Sequence, residues 1–511
     1  MQKAKRIAII GSTGGNLYLQ GGGLGKNLLN SIDCEVQKWG YRTCAILYLC
    51  ADSSMDTISQ TSPVSLVSKN LDLMEDASGE LSKINQLVIK GSNEIGTAIY
   101  NGEIDALISI SAEPAGANRD IFLAAKSAEI PIVASGASSV AWIKKMGCKV
   151  IYATGTTGTS SEFRSINYLT ALARYWGDNV GQNIRRRISK TIKSASFSFE
   201  TWTLPYFLLV VVLKGLSSLG LSVTTEIYAA LINIAPLIAC LSVSLSLLSD
   251  PRLGMVVAIT TGIVVSYFHG GFVGGILAGY ITAILFNLIL HLSAGRRMPG
   301  SAQGLLIYSV TVVLIGLLFS VIAETFGGVT VSLAMLPERI IAGNYLWIGF
   351  LVGVFFWPAM ESGLYHRVLL PYILLEISVK GISVIGAFDV LCLVVMASGA
   401  NLAALFFRGD LKAGLANLME NILYGTNVEY VYTMSEGRKL VRYGLYLFCG
   451  IIGIFILKLG LMGVGYLPLF LLPFIVENGK NLGLAMLLAA MLSTLYFALF
   501  GLLGGKKDVQ P

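Results

Sequence analysis

The stretch LPYFLLVVVLKGLSSLGLSVTTEIYAALINIAPLIACLSVSLSLLSD, residues 204–250, decides how the chain is built. It holds two apolar segments in quick succession, Leu204 to Leu221 and Ile227 to Leu248. Each is close to the ~20 residues that a helix needs to cross a bilayer's hydrocarbon. Before Thr203 the sequence has ordinary mixed polarity; after it the chain is almost unbroken apolar sequence, interrupted by glycine, small residues and a few isolated charges. Only a polytopic membrane protein needs such a block, and each charge inside it becomes a candidate for function.

Composition agrees. The 511 residues have a mean hydropathy of +0.69 and only 13% charged side chains, against roughly a quarter in soluble domains. The expected organisation is an α/β ligand-binding domain over residues 1–180, a basic amphipathic linker over 181–203, a transmembrane domain over 204–505 and a tail over 506–511. The net charge of +7 does not point to nucleic acid, because basic residues cluster beside apolar segments, as in Arg185-Arg186-Arg187, Arg296-Arg297 and Lys506-Lys507. That is the pattern of anchoring at a cytoplasmic membrane face. Seven scattered cysteines without a CxxC pair argue against a disulfide framework or a structural zinc site. No cofactor or metal is expected. The N-terminus MQKAKRIAII runs straight into a strand, too short an apolar run for a signal peptide. The first domain is therefore expected in the cytoplasm, on a multi-pass protein of a bacterial-type cytoplasmic (inner) membrane.

The first 180 residues alternate strand and helix. Strands are expected at Arg6 to Ile10, Arg42 to Leu49, Gln86 to Ile89, Asp105 to Ile110, Ile130 to Ala134 and Lys149 to Ala153. Helices are expected at Leu24 to Trp39, Val64 to Met74, Asn93 to Asn101, Arg119 to Ala128, Ser138 to Met146 and Ser161 to Trp176. Repeated βα units imply a parallel sheet with helices on both faces. Four strands end in small polar loops: Gly11-Ser12-Thr13-Gly14, Ser109-Ile110-Ser111, Ser135-Gly136-Ala137-Ser138-Ser139, and Gly155 to Ser161 with Thr156, Thr157, Thr159 and Ser160. The C-terminal ends of parallel strands share one edge, where ligands bind. Small hydroxyls and backbone N–H groups at helix starts suit an anion. The same Ser and Thr residues also serve simply as helix N-caps.

From about residue 105 to 175 the order of elements resembles a sugar isomerase (SIS) domain, through DALISISAEPAGANRD, PIVASGASSVA and ATGTTGTSSEFRSINYLTALA. The resemblance implies phosphosugar binding by the Ser- and Thr-rich loops. Ala112 stands where that family's first loop carries glycine, and another Rossmann-like domain remains an alternative.

About ten spans are expected after Thr203, several of them short enough to be re-entrant hairpins or broken helices. With the N-terminus inside, Arg252 and Arg296-Arg297 fall on the cytoplasmic side, as the positive-inside rule requires. Gly271, Gly275 and Gly279 repeat every fourth residue, a face that lets helices approach closely. GGFVGGILAGYI, with ESGLYHRVLLPYILLE at 361–376 and LMENILYG at 418–425, resembles the fructose-type membrane subunit (enzyme IIC) of the sugar phosphotransferase system. The resemblance covers about residues 204–505. It implies a homodimeric carbohydrate transporter in which Glu420 takes the place of the sugar-binding glutamate and His366 or Tyr365 that of the sugar-contacting histidine. Asn421 replaces the family's proline, and Glu361 is a further polar candidate that can instead pair with Arg367 or Glu376. A carboxylate in an apolar region costs several kcal/mol unless it meets water, a partner or a ligand.

The phosphoryl relay of that system needs a reactive cysteine loop and a phosphohistidine. Cys34, Cys44, Cys50 and Cys148 fall within expected helices or strands, and His269, His291 and His366 all lie in the membrane block. Separate phosphotransferase proteins would have to supply the relay. Two alternatives stay open: a non-transporting sensor on the same fold, and a membrane-tethered phosphosugar isomerase using Glu94, Glu113 or Glu162 as acid or base. The expected partners are a free sugar, a sugar phosphate and the lipid bilayer, with no nucleic acid.

Overall fold

The computed structural model describes residues 4–14, 17, 26–55, 57–70, 73–155, 159–186, 199–407, 411–425, 431, 438–476 and 478–503. Thr156, Thr157, residues 187–198 of the linker and the 506–511 tail lie outside the described residues. The chain divides into two compact units. The first contains residues 1–196 together with Leu247–Ala258 and Tyr280–Ile315; the second contains Phe197–Ser246, Ile259–Gly279 and the chain from Gly316 onward.

The first unit carries a seven-stranded sheet in the order β4-β3-β2-β1-β5-β6-β7. Its strands are β1 (Arg6–Ser12), β2 (Arg42–Cys50), β3 (Pro63–Asn70), β4 (Leu73–Glu80), β5 (Ala106–Ile110), β6 (Ile132–Ser135) and β7 (Val150–Thr154). The helices are α1 (Lys26–Lys38), α2 (Leu81–Tyr100), α3 (Arg119–Ser127), α4 (Ala137–Lys145) and α5 (Ser161–Trp176). Strands β2, β1, β5, β6 and β7 are mutually parallel, in a doubly wound order whose direction reverses at the β1/β5 junction. Both faces are covered, so successive strand residues are mostly apolar. Ile7, Ile9 and Ile108 pack with Ile32 of α1 and Leu169 of α5. Ala8, Ile10 and Leu107 pack with Ile99 of α2 and Phe122 of α3.

The sheet is mixed, not wholly parallel. The helix expected at Val64 to Met74 is instead the antiparallel hairpin β3–β4, in which β3 pairs with β2. The strand expected at Gln86 to Ile89 lies inside α2. The reason is periodicity. Leu81, Ile84, Val88, Ser92, Ile95 and Ile99 are all buried, a three- and four-residue spacing that only a long window reveals.

The apolar block forms α6 (Phe199–Ser218), α7 (Ser222–Leu247), α8 (Pro251–Tyr267), α9 (Gly271–Ser293), α10 (Gly300–Ala334), α11 (Leu336–Glu361), α12 (Leu370–Lys380), α13 (Val384–Phe388), α14 (Met396–Phe407), α15 (Leu411–Tyr424), α16 (Lys439–Lys458), α17 (Leu472–Ile475) and α18 (Gly479–Leu503). Among the described residues six helices are long and apolar enough to cross a membrane, so this is a helical multi-pass architecture with fewer full spans than the ten expected. The difference has two sources. Thr203–Ser218 and Pro251–Tyr267 are shorter than a full span, and Asn344–Glu361 with Tyr365–Lys380 forms a pair bent by 114°. Counting the bent pair as one span brings the number to seven.

In the second unit glycine sets helix spacing. A Cβ on Gly275 would fall 2.2 Å from the Pro236 carbonyl oxygen, and one on Gly279 2.7 Å from that of Cys240, so α9 and α7 touch through backbone. Gly349 and Gly353 meet the carbonyls of Gly453 and Cys449 in the same way at 2.5 and 2.1 Å, joining α11 to α16. Small residues four apart allow this approach.

Candidate functional site

The first unit gathers polar residues at the C-terminal edge of its sheet. The β1/β5 junction is where a doubly wound sheet opens a crevice. Gly11 fills that junction because nothing larger fits: its φ is +144° and a Cβ would sit 1.8 Å from the Ile110 carbonyl oxygen. Beside it the Ser12 hydroxyl donates to the Ser111 carbonyl at 2.8 Å, and Thr13 Oγ1 accepts from the Ala51 amide at 2.9 Å. The Tyr48 hydroxyl donates to the Ser12 carbonyl at 3.0 Å. Ser111 N donates to the Ser135 carbonyl at 2.8 Å.

Helix α5 brings a charge to this edge. Arg164 is fully buried, and one guanidinium nitrogen donates to Thr159 Oγ1 at 3.0 Å. Burial pulls its pKa below the ordinary arginine range, with the neighbouring Tyr168, Tyr48 and Glu162 opposing that pull. The Tyr168 hydroxyl, one turn along α5, faces Ser135. The hydroxyls of Ser109, Ser139 and Ser161 are buried without a hydrogen-bond partner among the described residues. Buried polar groups are normally satisfied. The Ser161 hydroxyl stands one turn before Arg164 on α5, and a buried cation beside an open hydroxyl is an arrangement that an anion with several oxygens would complete. Ser138 is exposed at the start of α4 and stands apart from these groups.

The last loop is committed elsewhere. Ser160 caps α5 by accepting from Phe163 N at 2.9 Å, and its hydroxyl donates to Asp250 at 2.5 Å. Asp250 is itself buried and caps α8, accepting from Leu253 N at 3.2 Å. Burial pushes the Asp250 carboxyl above the usual range, and the Ser160 hydroxyl partly offsets this. Asn167 of α5 accepts from Gly295 N at 3.0 Å, and Arg174 donates to the carbonyls of Leu292 and Ala294, each at 3.2 Å. Helix α5 thus carries Arg164 on the ligand edge and three further ties to segments of the apolar block within the same unit.

In the second unit the residues expected at a sugar site differ in exposure. Glu361 accepts from the Tyr446 hydroxyl at 2.8 Å and pairs with Arg442 at 3.5 Å, not with Arg367 or Glu376. His366 and Glu420 are exposed on the chain, and the His366 ring lies edge-on to Tyr365 at 5.0 Å. Tyr365 and Asn421 are buried. Tyr365 sits in a π-turn, Tyr365–Leu369, that begins the second arm of the bent pair, and it faces Asp389 and Tyr466. Helix α15, which carries Asn421, ends with the Gly425 carbonyl accepting from Tyr466 N at 3.4 Å.

Sequence reasoning missed Arg164, Asp250 and Asp389. Asp389 had a legible signal: it is a lone carboxylate in the apolar run VIGAFDVLCLVV, the criterion that singled out Glu420. Arg164 had none, because α5 is buried on nearly every side and its polar residues look like a solvent face until that burial is known. Among the described residues no group of three or more His, Cys, Asp or Glu side chains converges. Comparison of the chain with protein-family models, curated proteins and solved structures finds no match.

Proposed function

We propose that the chain is a multi-pass carbohydrate transporter of the enzyme IIC type, regulated by a sugar phosphate or similar anion at the C-terminal edge of the α/β sheet. One observation carries this reading. Helix α5 holds buried Arg164 beside Thr159, and the helix and its cap Ser160 tie to Gly295 and Asp250 in the apolar block. An anion that pairs with Arg164 changes the electrostatics of α5, and α5 is bonded to the ends of apolar helices. Binding energy at one place is thereby available to bias the other. The bent helix pair and the buried polar residues Tyr365 and Asn421 supply the kind of broken-helix interior in which transporters hold substrate. The N-terminal unit faces the cytoplasm in this reading, and the subunit pairs with a second copy.

The test is flux. The full chain in proteoliposomes should exchange labelled fructose or glucose, and fructose 6-phosphate or glucose 6-phosphate on the α/β side should change the rate. Arg164→Met should keep the exchange and lose the response. Binding of both ligands with no exchange would replace transport by the sensor reading, which the lack of a visible phosphoryl relay on this chain favours.

A further inference from the structure

The span Val384–Leu405 is the most enclosed of the apolar helices, with 89% of its window buried. In its middle is a π-turn, Asp389–Val395, a wide turn that often marks a functional position. Asp389 opens that turn and is only 4% exposed. Its neighbours are neutral donors: Tyr365 and the backbone N–H of Gly465. Gly465 is pressed against the carboxylate, since a Cβ there would fall 2.1 Å from Oδ2. No Lys, Arg or His among the described residues pairs with Asp389.

The backbone opposite Asp389 is not helical. Between α16 and α17 the chain runs through Leu461 to Leu469 without a helix, and Leu461, Gly463, Val464, Gly465 and Leu467 are buried. Gly463 pairs with Ser383 as an isolated bridge, and its carbonyl lies against Gly386. Unwound backbone within a membrane domain is tolerated where protein encloses it or where it lines a cavity, and its carbonyls are natural cation ligands. A carboxylate in apolar surroundings without a countercharge is costly unless a cation neutralises it. The titratable groups that adjacent elements present here are Tyr365, Tyr466, Cys392 and Cys449, none of them a cation.

We infer that Asp389, with Tyr365 and the unwound Gly463–Tyr466 segment, binds a monovalent cation, either a proton or a sodium ion. The assignment of binding stands on the geometry above. Its consequence, that the cation gradient drives sugar movement, rests on the transport reading and supplies the energy source missing from a chain without a phosphoryl relay. For a proton, the step is its transfer from water to the Asp389 carboxylate on one side and its release to water on the other.

Two measurements on the full chain separate binding from coupling. In detergent, infrared difference spectra on changing pH, and on adding NaCl at fixed pH, should show a carboxyl signal that Asp389→Asn lacks and Tyr365→Phe shifts. A pH-driven signal identifies the proton, and a sodium-driven one the sodium ion. Spectra of Asp389→Asn identical to those of the parent in both experiments would overturn the site. In proteoliposomes, a tenfold inward gradient of the identified cation should drive up to about tenfold accumulation of labelled fructose or glucose for one cation per sugar. Asp389→Asn should accumulate nothing. Accumulation by that variant equal to the parent's would overturn coupling. A carboxyl signal together with no exchange by either chain would uphold the cation site and reject transport itself.

Discussion

Two buried carboxylates in the second unit are treated in opposite ways. Glu376 is fully buried in α12, and every neighbour satisfies it. It accepts from Ser383 Oγ at 2.5 Å and from Ile385 N at 3.1 Å, and it pairs with Lys380 at 2.9 Å, which in turn reaches Glu338 at 3.1 Å. It therefore caps α13 and closes a charge network. Asp389, just past α13, has two neutral donors and no countercharge among the described residues. The difference separates a carboxylate that holds the fold from one held ready for something else. Arg164 is the corresponding case in the α/β unit, a buried cation with hydroxyl and carbonyl acceptors from Thr159.

If that contrast is right, Glu376→Ala has the largest effect on stability. It strands Lys380 and the amides at the start of α13, and breaking a buried pair costs about 3–5 kcal/mol. Thermal unfolding in detergent should show a large drop, where Asp389→Asn should show little. Equal losses in the two variants would erase the distinction. Next comes Arg164→Met. A sugar phosphate at about a hundred times its Kd should stabilise the parent by ~2.7 kcal/mol and leave this variant unmoved; an undiminished shift would place the anion elsewhere.

Gly465→Ala sharpens the comparison from the backbone side. The added methyl meets Asp389 Oδ2 at 2.1 Å, and overpacking of this kind costs about 1–3 kcal/mol. The loss should shrink in the double variant with Asp389→Asn only if the carboxylate's charge contributes to it. A purely steric clash would give the same loss in both backgrounds, as measured by a double-mutant cycle on melting temperatures.

The smallest effect concerns Asp250, whose carboxyl burial raises above the ordinary range. A raised carboxyl contributes stability that is present below its unfolded value near 4 and is lost as pH rises through the raised value. Asp250→Asn should remove that loss, flattening the decline in melting temperature as pH rises above about 4. The Ser160 contact can persist, because an amide oxygen also accepts. An unchanged pH slope would show that Asp250 is not the titrating group.

The alternation of strand and helix and the apolar helices that follow were legible in the sequence, but the assignment of Leu247–Ala258 and Tyr280–Ile315 to the first unit was not. Strand runs such as Ala106–Ile110 are buried at every residue and apolar at all but Ser109 because both faces are covered, and the glycine repeat at 271, 275 and 279 marks a helix contact that α7 fills. The hairpin β3–β4 was hidden by its polar composition, LMEDASGE, which resembles a loop until it pairs at a sheet edge. The site was half legible. Ser12, Ser109 and Ser135 stand at strand ends where doubly wound sheets bind, and strand order alone places them there. Arg164 was not found because its burial is a property of packing; Asp389 stood in the sequence as a lone carboxylate in an apolar run, but its neighbouring donors become visible only in the fold.

The most direct test of the account is thermal stabilisation of the detergent-purified full chain by fructose 6-phosphate, glucose 6-phosphate, fructose and glucose, in the parent and in Arg164→Met. The account predicts that a sugar phosphate stabilises the parent alone, while a free sugar stabilises both. Equal stabilisation of both chains by the sugar phosphate, or stabilisation of neither chain by any of the four compounds, would contradict it.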